Sequence, residues 1–305
     1  MCLGDMLLPL AILRSPCSSV SPCLCDSVFS AMARTRQFAG LLWLLALTAA
    51  SASTAAEPVR PLVVGHRGLM HSAPECTLAA FRACLALRVG FEFDVRRCKD
   101  GTLVCLHDPT LDRTTDGRGS LADVTFDQLR KLDAGSRFDI AFRGQRVPRI
   151  DEIFTLIAEE ARGDTLCAVD LKESGDGLEE KIVRLAESRN ILNQLLFIGV
   201  TIESADVRSR LKEASDLART GRLAATPEDI GAVLADPNSD WVYVRFLPSR
   251  AQMTRIRAAG KRAFIAGELV ASSESANWST ATEAGIDAIL TDYPLELANQ
   301  IRAQR

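Results

Sequence analysis

From Pro61 onward the chain alternates short β-branched or aliphatic runs with amphipathic stretches, and this alternation is the strongest constraint on its fold. The apolar runs are Leu62–His66, Phe91–Val95, Leu103–His107, Leu166–Leu171, Leu195–Val200, Leu223–Thr226, Trp241–Phe246, Ala263–Ala266 and Ala288–Thr291. Helical periodicity lies between most of them, as in Glu75–Leu87, Asp151–Ala161, Leu178–Ser188 and Ser275–Ala284. Strand then helix, repeated over about 250 residues, predicts one α/β domain, a (β/α)8 TIM barrel over residues 61–305. A doubly wound open sheet is the rival, but no GxGxxG follows the first run to give it a dinucleotide site.

Nine runs are one too many for eight barrel strands. Between Asp94 and Leu103 there is no room for the roughly dozen residues of a parallel crossover, and Asp100-Gly101 is a two-residue hairpin signal. The third run is therefore expected to fold back antiparallel on the second, forming a β-hairpin followed by a short insertion. Pairing around a two-residue turn sets Asp94 directly opposite His107, delivering a carboxylate and an imidazole to one spot. Residues 108–149 carry turn signals at Asp116-Gly117-Arg118-Gly119 and a short helix from Phe126. A connection this long is expected to cover the site at the barrel mouth.

Residues 1–56 read differently. Arg34 and Arg36 precede a mostly apolar stretch over 38–50 and small residues through Ala56, the order of a secretory signal. The stretch falls short of the roughly 20 residues of a membrane span. Residues 32–56 are thus expected to be a signal peptide cleaved after Ala52 or Ala56, giving a periplasmic or secreted protein without a membrane span. Residues 1–31 precede the place where such a signal normally starts. They read as an extension from a start assigned too early, or as a disordered one.

Composition excludes some classes. The formal charge is −3 with no long basic run, which argues against a nucleic-acid partner. Beyond residue 56 stand five cysteines, Cys76, Cys84, Cys98, Cys105 and Cys167, an odd number without a CxxC. They read as small buried apolar residues rather than zinc ligands. No GxSxG elbow occurs, so a serine hydrolase is not indicated.

The residues that can carry chemistry cluster early. Gly65-His66-Arg67-Gly68 closes the first strand, with an imidazole that can move a proton near neutral pH and a guanidinium suited to an anionic oxygen. Strand period two puts Glu92 and Asp94 on one face and Phe91 and Phe93 on the other. Two inward carboxylates are costly unless they share a cation, and a solvated strand end is the alternative. Asp170 and Lys172 likewise share a face. Three carboxylates without a thiolate or a further imidazole describe a hard oxygen site for Mg2+ or Ca2+. His71, in the loop before Pro74, reads as a solvated bystander. Arg245 either touches substrate or pairs with a neighbour.

Gly65-His66-Arg67-Gly68 followed by Pro74-Glu75-Cys76-Thr77-Leu78-Ala79-Ala80-Phe81 resembles the opening signature of the glycerophosphodiester phosphodiesterase family. Further matches are Glu92-Phe93-Asp94-Val95, Lys99-Asp100-Gly101, His107-Asp108, Leu111-Asp112-Arg113-Thr114-Thr115 and the closing stretch 285–294. The resemblance spans residues 61–305. It implies a metal-dependent (β/α)8 barrel that hydrolyses glycerophosphodiesters, as small-molecule substrates, to glycerol 3-phosphate and an alcohol. By this resemblance His66 and His107 are the catalytic acid–base pair, and Glu92, Asp94 and Asp170 hold one divalent cation. Arg67 and Lys172 contact the phosphate, and Glu75 is an auxiliary ligand or supports the ligands from behind. His66 is expected as base, toward a nucleophile such as the glycerol 2-hydroxyl, and His107 as acid, or the reverse. Asp170 stands where the family more often has Glu, and Cys76 where it has Asn. Gly199-Val200-Thr201 and Gly267-Glu268-Leu269-Val270 depart from its usual wall. Two other readings follow from these departures: a phospholipase-D-like enzyme acting on lipid or lysolipid, and a silent barrel that binds a phosphorylated or sugar ligand.

Overall fold

A computed structural model of the chain describes residues 60–303. The signal peptide read at 32–56 and the extension at 1–31 lie outside the described residues.

Nine strands form: β1 (Leu62–Gly65), β2 (Gly90–Arg97), β3 (Leu103–Cys105), β4 (Cys167–Leu171), β5 (Leu195–Ile198), β6 (Gly221–Ala224), β7 (Trp241–Val244), β8 (Arg262–Ile265) and β9 (Ala288–Thr291). Eight run in the order β5-β4-β2-β1-β9-β8-β7-β6, with parallel pairing along the row. A bridge between Phe197 and Thr220 joins β5 to β6, so the row comes round on itself as a TIM barrel. Every predicted run is a strand, within a few residues at its ends.

Most of these strands are buried on both faces, as a barrel wrapped by helices requires. Alternate positions point inward, where Val64, Ala168, Leu196, Trp241, Phe264 and Ala288 fill the lumen. The other positions meet the helices. On helix Leu78–Ala86, which Thr77 caps by accepting from Ala80 N at 3.3 Å, Phe81 stacks on Phe91 with ring centroids 4.3 Å apart. Phe93 meets Phe154 edge-on from helix Ile150–Glu160. Burying each such phenylalanine contributes about 1.5–3 kcal/mol. The outward phenylalanines thereby fix which way Glu92 and Asp94 face.

β3 pairs antiparallel with β2 and stays off the barrel path, but the register is not the predicted one. Val95 opposes Cys105 and Arg97 opposes Leu103, so Asp94 falls opposite Leu106 rather than His107. The turn holds three residues, not two: Cys98 N donates to Thr102 O and Gly101 N to Cys98 O, both at 2.9 Å. Gly101 takes the left-handed conformation that a three-residue hairpin loop needs, φ +76°. Asp100 then anchors the turn by accepting from Phe126 N at 2.9 Å. One added loop residue slips the pairing by one; Leu106 N still donates to Asp94 O at 3.3 Å, and His107 follows just past that bond.

Residues 108–149 build a small core of their own against the outer side of the hairpin, with Leu111, Leu121 and Leu129 on Val104 and Leu106. Among the described residues no helix is long and apolar enough to cross a membrane.

Candidate active site

Toward the C-terminal ends of the strands the inward positions change from apolar to ionisable. Val64 is followed two residues on by His66, Ala168 by Asp170 and then Lys172, Tyr243 by Arg245, and Leu290 by Asp292. His66, Glu92, His107, Asp170, Lys172 and Asp292 line one cavity of about 300 Å³. Both predicted histidines, two of the three predicted metal ligands and the predicted lysine therefore meet in one place.

The third acid, Asp94, completes a cluster in which one carboxylate oxygen from each of Glu92, Asp94 and Asp170 lies within 4.8 Å of the others. Glu92 and Asp94 are almost wholly buried. Burial, together with Asp94 and Asp170 nearby, pushes the Glu92 carboxyl well above its ordinary range. Burial also raises Asp170, against the pull of Lys172. Lys172 Nζ lies 2.6 Å from Asp170 Oδ2 and 3.0 Å from Asp94 Oδ1, and those charges raise its pKa despite burial. Asp170 Oδ1 is buried without any hydrogen-bond partner. An orphaned anionic oxygen beside two crowded carboxylates fits a hard divalent cation.

Each imidazole is held at Nδ1 by a carboxylate that the sequence reading had not assigned. His66 Nδ1 is 2.7 Å from Asp292 Oδ1, and His107 Nδ1 is 2.8 Å from Asp108 Oδ1. Asp108 in turn accepts from Arg113 at 2.6 and 3.0 Å, which holds its carboxyl well below the usual range. The other edge of Arg113 donates to both oxygens of Glu75 at 2.6 and 2.9 Å. Burial would raise Glu75, yet Arg113 and Arg67 outweigh it and hold the carboxyl below its ordinary value. Arg113 thereby ties the insertion to the first loop of the barrel.

Glu75 is engaged with Arg67 and Arg113 and lies outside the three-acid cluster. Arg67 donates to Glu75 at 3.1 Å and sits 4.0 Å from Asp94, with its backbone N donating to Glu92 at 3.0 Å. Its guanidinium is held beside the acids, with Nε buried and without a hydrogen-bond partner, while Lys172 and Arg245 line the cavity. His71 is exposed and stacks on Tyr293 with ring centroids 4.5 Å apart. All five cysteines are free and buried.

The departures at Cys76, Asp170 and Gly199 acquire physical content. Cys76 has φ +56°, a conformation that suits Asn better than most residues. Its thiol donates to Asp94 Oδ2 at 3.5 Å, a weak hydrogen bond to one of the three acids. A Cβ at Gly199 would stand 2.0 Å from Asp170 Oδ1. Those two departures touch.

With this geometry in view, the chain matches the glycerophosphoryl diester phosphodiesterase family over residues 66–296. It belongs to that family. A glycerophosphodiester phosphodiesterase of Caldanaerobacter subterraneus subsp. tengcongensis is 39% identical over 143 residues, 45% of this chain and 57% of that protein. The matched stretch thus spans little more than half of that relative. Among solved structures, the glycerophosphodiester phosphodiesterase from Agrobacterium tumefaciens is 26% identical with a TM-score of 0.64, covering 78% of this chain and 99% of that one. A phosphodiesterase of Oleispira antarctica, solved with its product sn-glycerol-3-phosphate, is 25% identical with a TM-score of 0.63, covering 79% and 97%. The family's phosphodiesterase barrels are therefore the setting in which this site is read.

Proposed function

We propose that the protein hydrolyses glycerophosphodiesters to glycerol 3-phosphate and an alcohol. The observation that carries this is one cavity lined by two carboxylate-held imidazoles, a lysine, and acids of a cluster with an orphaned oxygen. Hydrolysis needs charge neutralised at the phosphoryl oxygens, one proton removed from a nucleophile and one given to the leaving alkoxide. With Nδ1 of each histidine on a carboxylate, Nε2 of each is the nitrogen left for proton transfer. His66 is assigned as base, taking the proton of water or of the glycerol 2-hydroxyl as its oxygen bonds to phosphorus. The bond from phosphorus to the alcohol oxygen breaks, and His107 returns a proton to that oxygen; where the 2-hydroxyl is the nucleophile this leaves a cyclic glycerol phosphate, which water opens to glycerol 3-phosphate as His107 takes the water's proton and His66 returns one to the 2-oxygen. Asp292 and Asp108 fix the two rings and stabilise each imidazolium. Lys172 contacts the phosphate.

Glu92, Asp94 and Asp170 are the residues to hold one divalent cation, Mg2+ or Ca2+. Bound there, it supplies charge neutralisation at the phosphoryl oxygens.

Ile198, Tyr243 and Leu290 stand beside the ionisable side chains in a cavity of about 300 Å³, a volume that suits a small headgroup better than the long apolar trough that a lysolipid requires. The convergence of both histidines and all three acids likewise favours catalysis over a silent binding barrel. The arginine, apolar and small-residue order of residues 32–56 supports export to the periplasm or beyond. Incubation with glycerophosphocholine tests the reaction: glycerol 3-phosphate and choline are the expected products, and release of phosphocholine or of nothing contradicts it.

A further inference from the structure

Two ionisable side chains in the cavity wall take no part in the chemistry above. Arg245 stands just past β7 and Glu268 just past β8, on neighbouring strands, and both line the cavity with His66 and His107. Both are exposed. The Arg245 guanidinium lies over the Tyr243 ring, 5.0 Å from its centroid. Among the described residues, neither Arg245 nor Glu268 forms an ion pair or a side-chain hydrogen bond, with each other or with any neighbour. Between them Gly267 leaves room where a Cβ would stand 3.1 Å from both Arg245 Cδ and Nη1. The arginine therefore rests against bare backbone, held by an aromatic face on one side and a glycine on the other.

The phosphate already has Lys172 and the three acids, and the glycerol half of the diester is uncharged. The unpaired cation and anion of the wall are therefore left for a charged alcohol on the other side of phosphorus. An arginine takes a carboxylate in a charge-assisted, often two-pronged contact, and a glutamate takes an ammonium. We propose that Arg245 and Glu268 form the leaving-alcohol subsite and select a zwitterionic alcohol, the hydroxyl of an amino acid esterified to the phosphate, with its carboxylate on Arg245 and its ammonium on Glu268. This rests on the phosphodiesterase reading and adds the substrate class to it.

The test compares kcat/KM for glycerophosphoserine, glycerophosphoethanolamine and glycerophosphoglycerol in the wild type, Arg245→Gln and Glu268→Gln. The three diesters share the glycerophosphate half, and their alcohols carry an ammonium and a carboxylate, an ammonium alone, or no charge. The wild type is expected to prefer the serine diester over the glycerol diester by about tenfold or more. Arg245→Gln is expected to lower serine relative to ethanolamine by about tenfold. Glu268→Gln should lower both amine-bearing diesters relative to glycerol by a similar factor. Equal rates on all three in the wild type overturn the subsite. So does a variant that slows the three alike, since its residue then touches the shared half, and so does a preference lost in only one variant. A wild type that turns over none of the diesters overturns the phosphodiesterase reading and the subsite with it.

Discussion

His66 Nδ1 stands 2.7 Å from Asp292 Oδ1, joining residues 226 positions apart across the seam where β1 pairs with β9. The carboxylate holds the ring with Nε2 free, and in the proposed reaction it stabilises the imidazolium that forms when His66 takes a proton. Asp292→Asn keeps the shape and removes the charge. Its kcat on glycerophosphocholine is expected to fall by about 10²-fold, with KM little changed. A kcat within a fewfold of wild type contradicts this role.

The assignment of acid and base separates the two histidines by leaving group. A p-nitrophenolate departs without a proton, whereas an alkoxide does not. His107→Ala is therefore expected to lose about 10²–10⁴-fold on glycerophosphocholine but far less on a p-nitrophenyl diester. His66→Ala should be slow on both. The opposite pattern reverses the roles, and activity retained by either variant on glycerophosphocholine removes that histidine from the mechanism.

Gly199 and Asp170 are matched. Gly199 has φ +107°, and a Cβ there would meet Asp170 Oδ1 at 2.0 Å. Gly199→Ala is expected to cost about 2 kcal/mol, roughly 4–8 °C in Tm for a domain of this size. It should also weaken cation binding by displacing a carboxylate oxygen. A melting temperature and a cation affinity both equal to wild type would sink the pairing.

Asp133 organises the insertion by accepting from the backbone N–H groups of Gly135 at 2.9 Å, Ser136 at 2.6 Å and Gly144 at 2.5 Å. Those contacts, led by Ser136, hold its carboxyl well below its ordinary 3.8. A carboxyl lowered on folding contributes stability that is complete above its unfolded value and is lost as pH falls through the folded one. The difference in Tm between wild type and Asp133→Asn should therefore be largest near pH 6 and shrink steadily as pH drops below about 4. A gap that does not vary with pH contradicts the account.

Much of this site is legible in sequence because strand parity is strict. Once β1, β2 and β4 are recognised, period two alone carries His66, Glu92, Asp94, Asp170 and Lys172 to the inner face, and the phenylalanines of β2 confirm the sense. The hairpin was legible in kind and not in register. Asp100-Gly101 signals a turn, but whether two or three residues close it depends on Asp100 reaching Phe126, a contact 26 positions away. Asp292 shares the parity of Leu290 and belongs to a recognised motif, so its place was readable though its partner was not. Arg113, Asp108 and Glu75 form a network only when the insertion folds back on the first loop, and no local period encodes that meeting. The pairing of Arg67 with Glu75 is likewise a loop contact that strand parity does not encode.

Glu92, Asp94 and Asp170 are proposed to hold a cation on which turnover depends. The decisive measurement is glycerol 3-phosphate release from glycerophosphocholine after exhaustive chelation and during stepwise return of Mg2+ or Ca2+. Turnover is expected to be lost on chelation and to recover with saturation at one cation per chain. Full turnover by the chelated protein, with no cation bound, would contradict it.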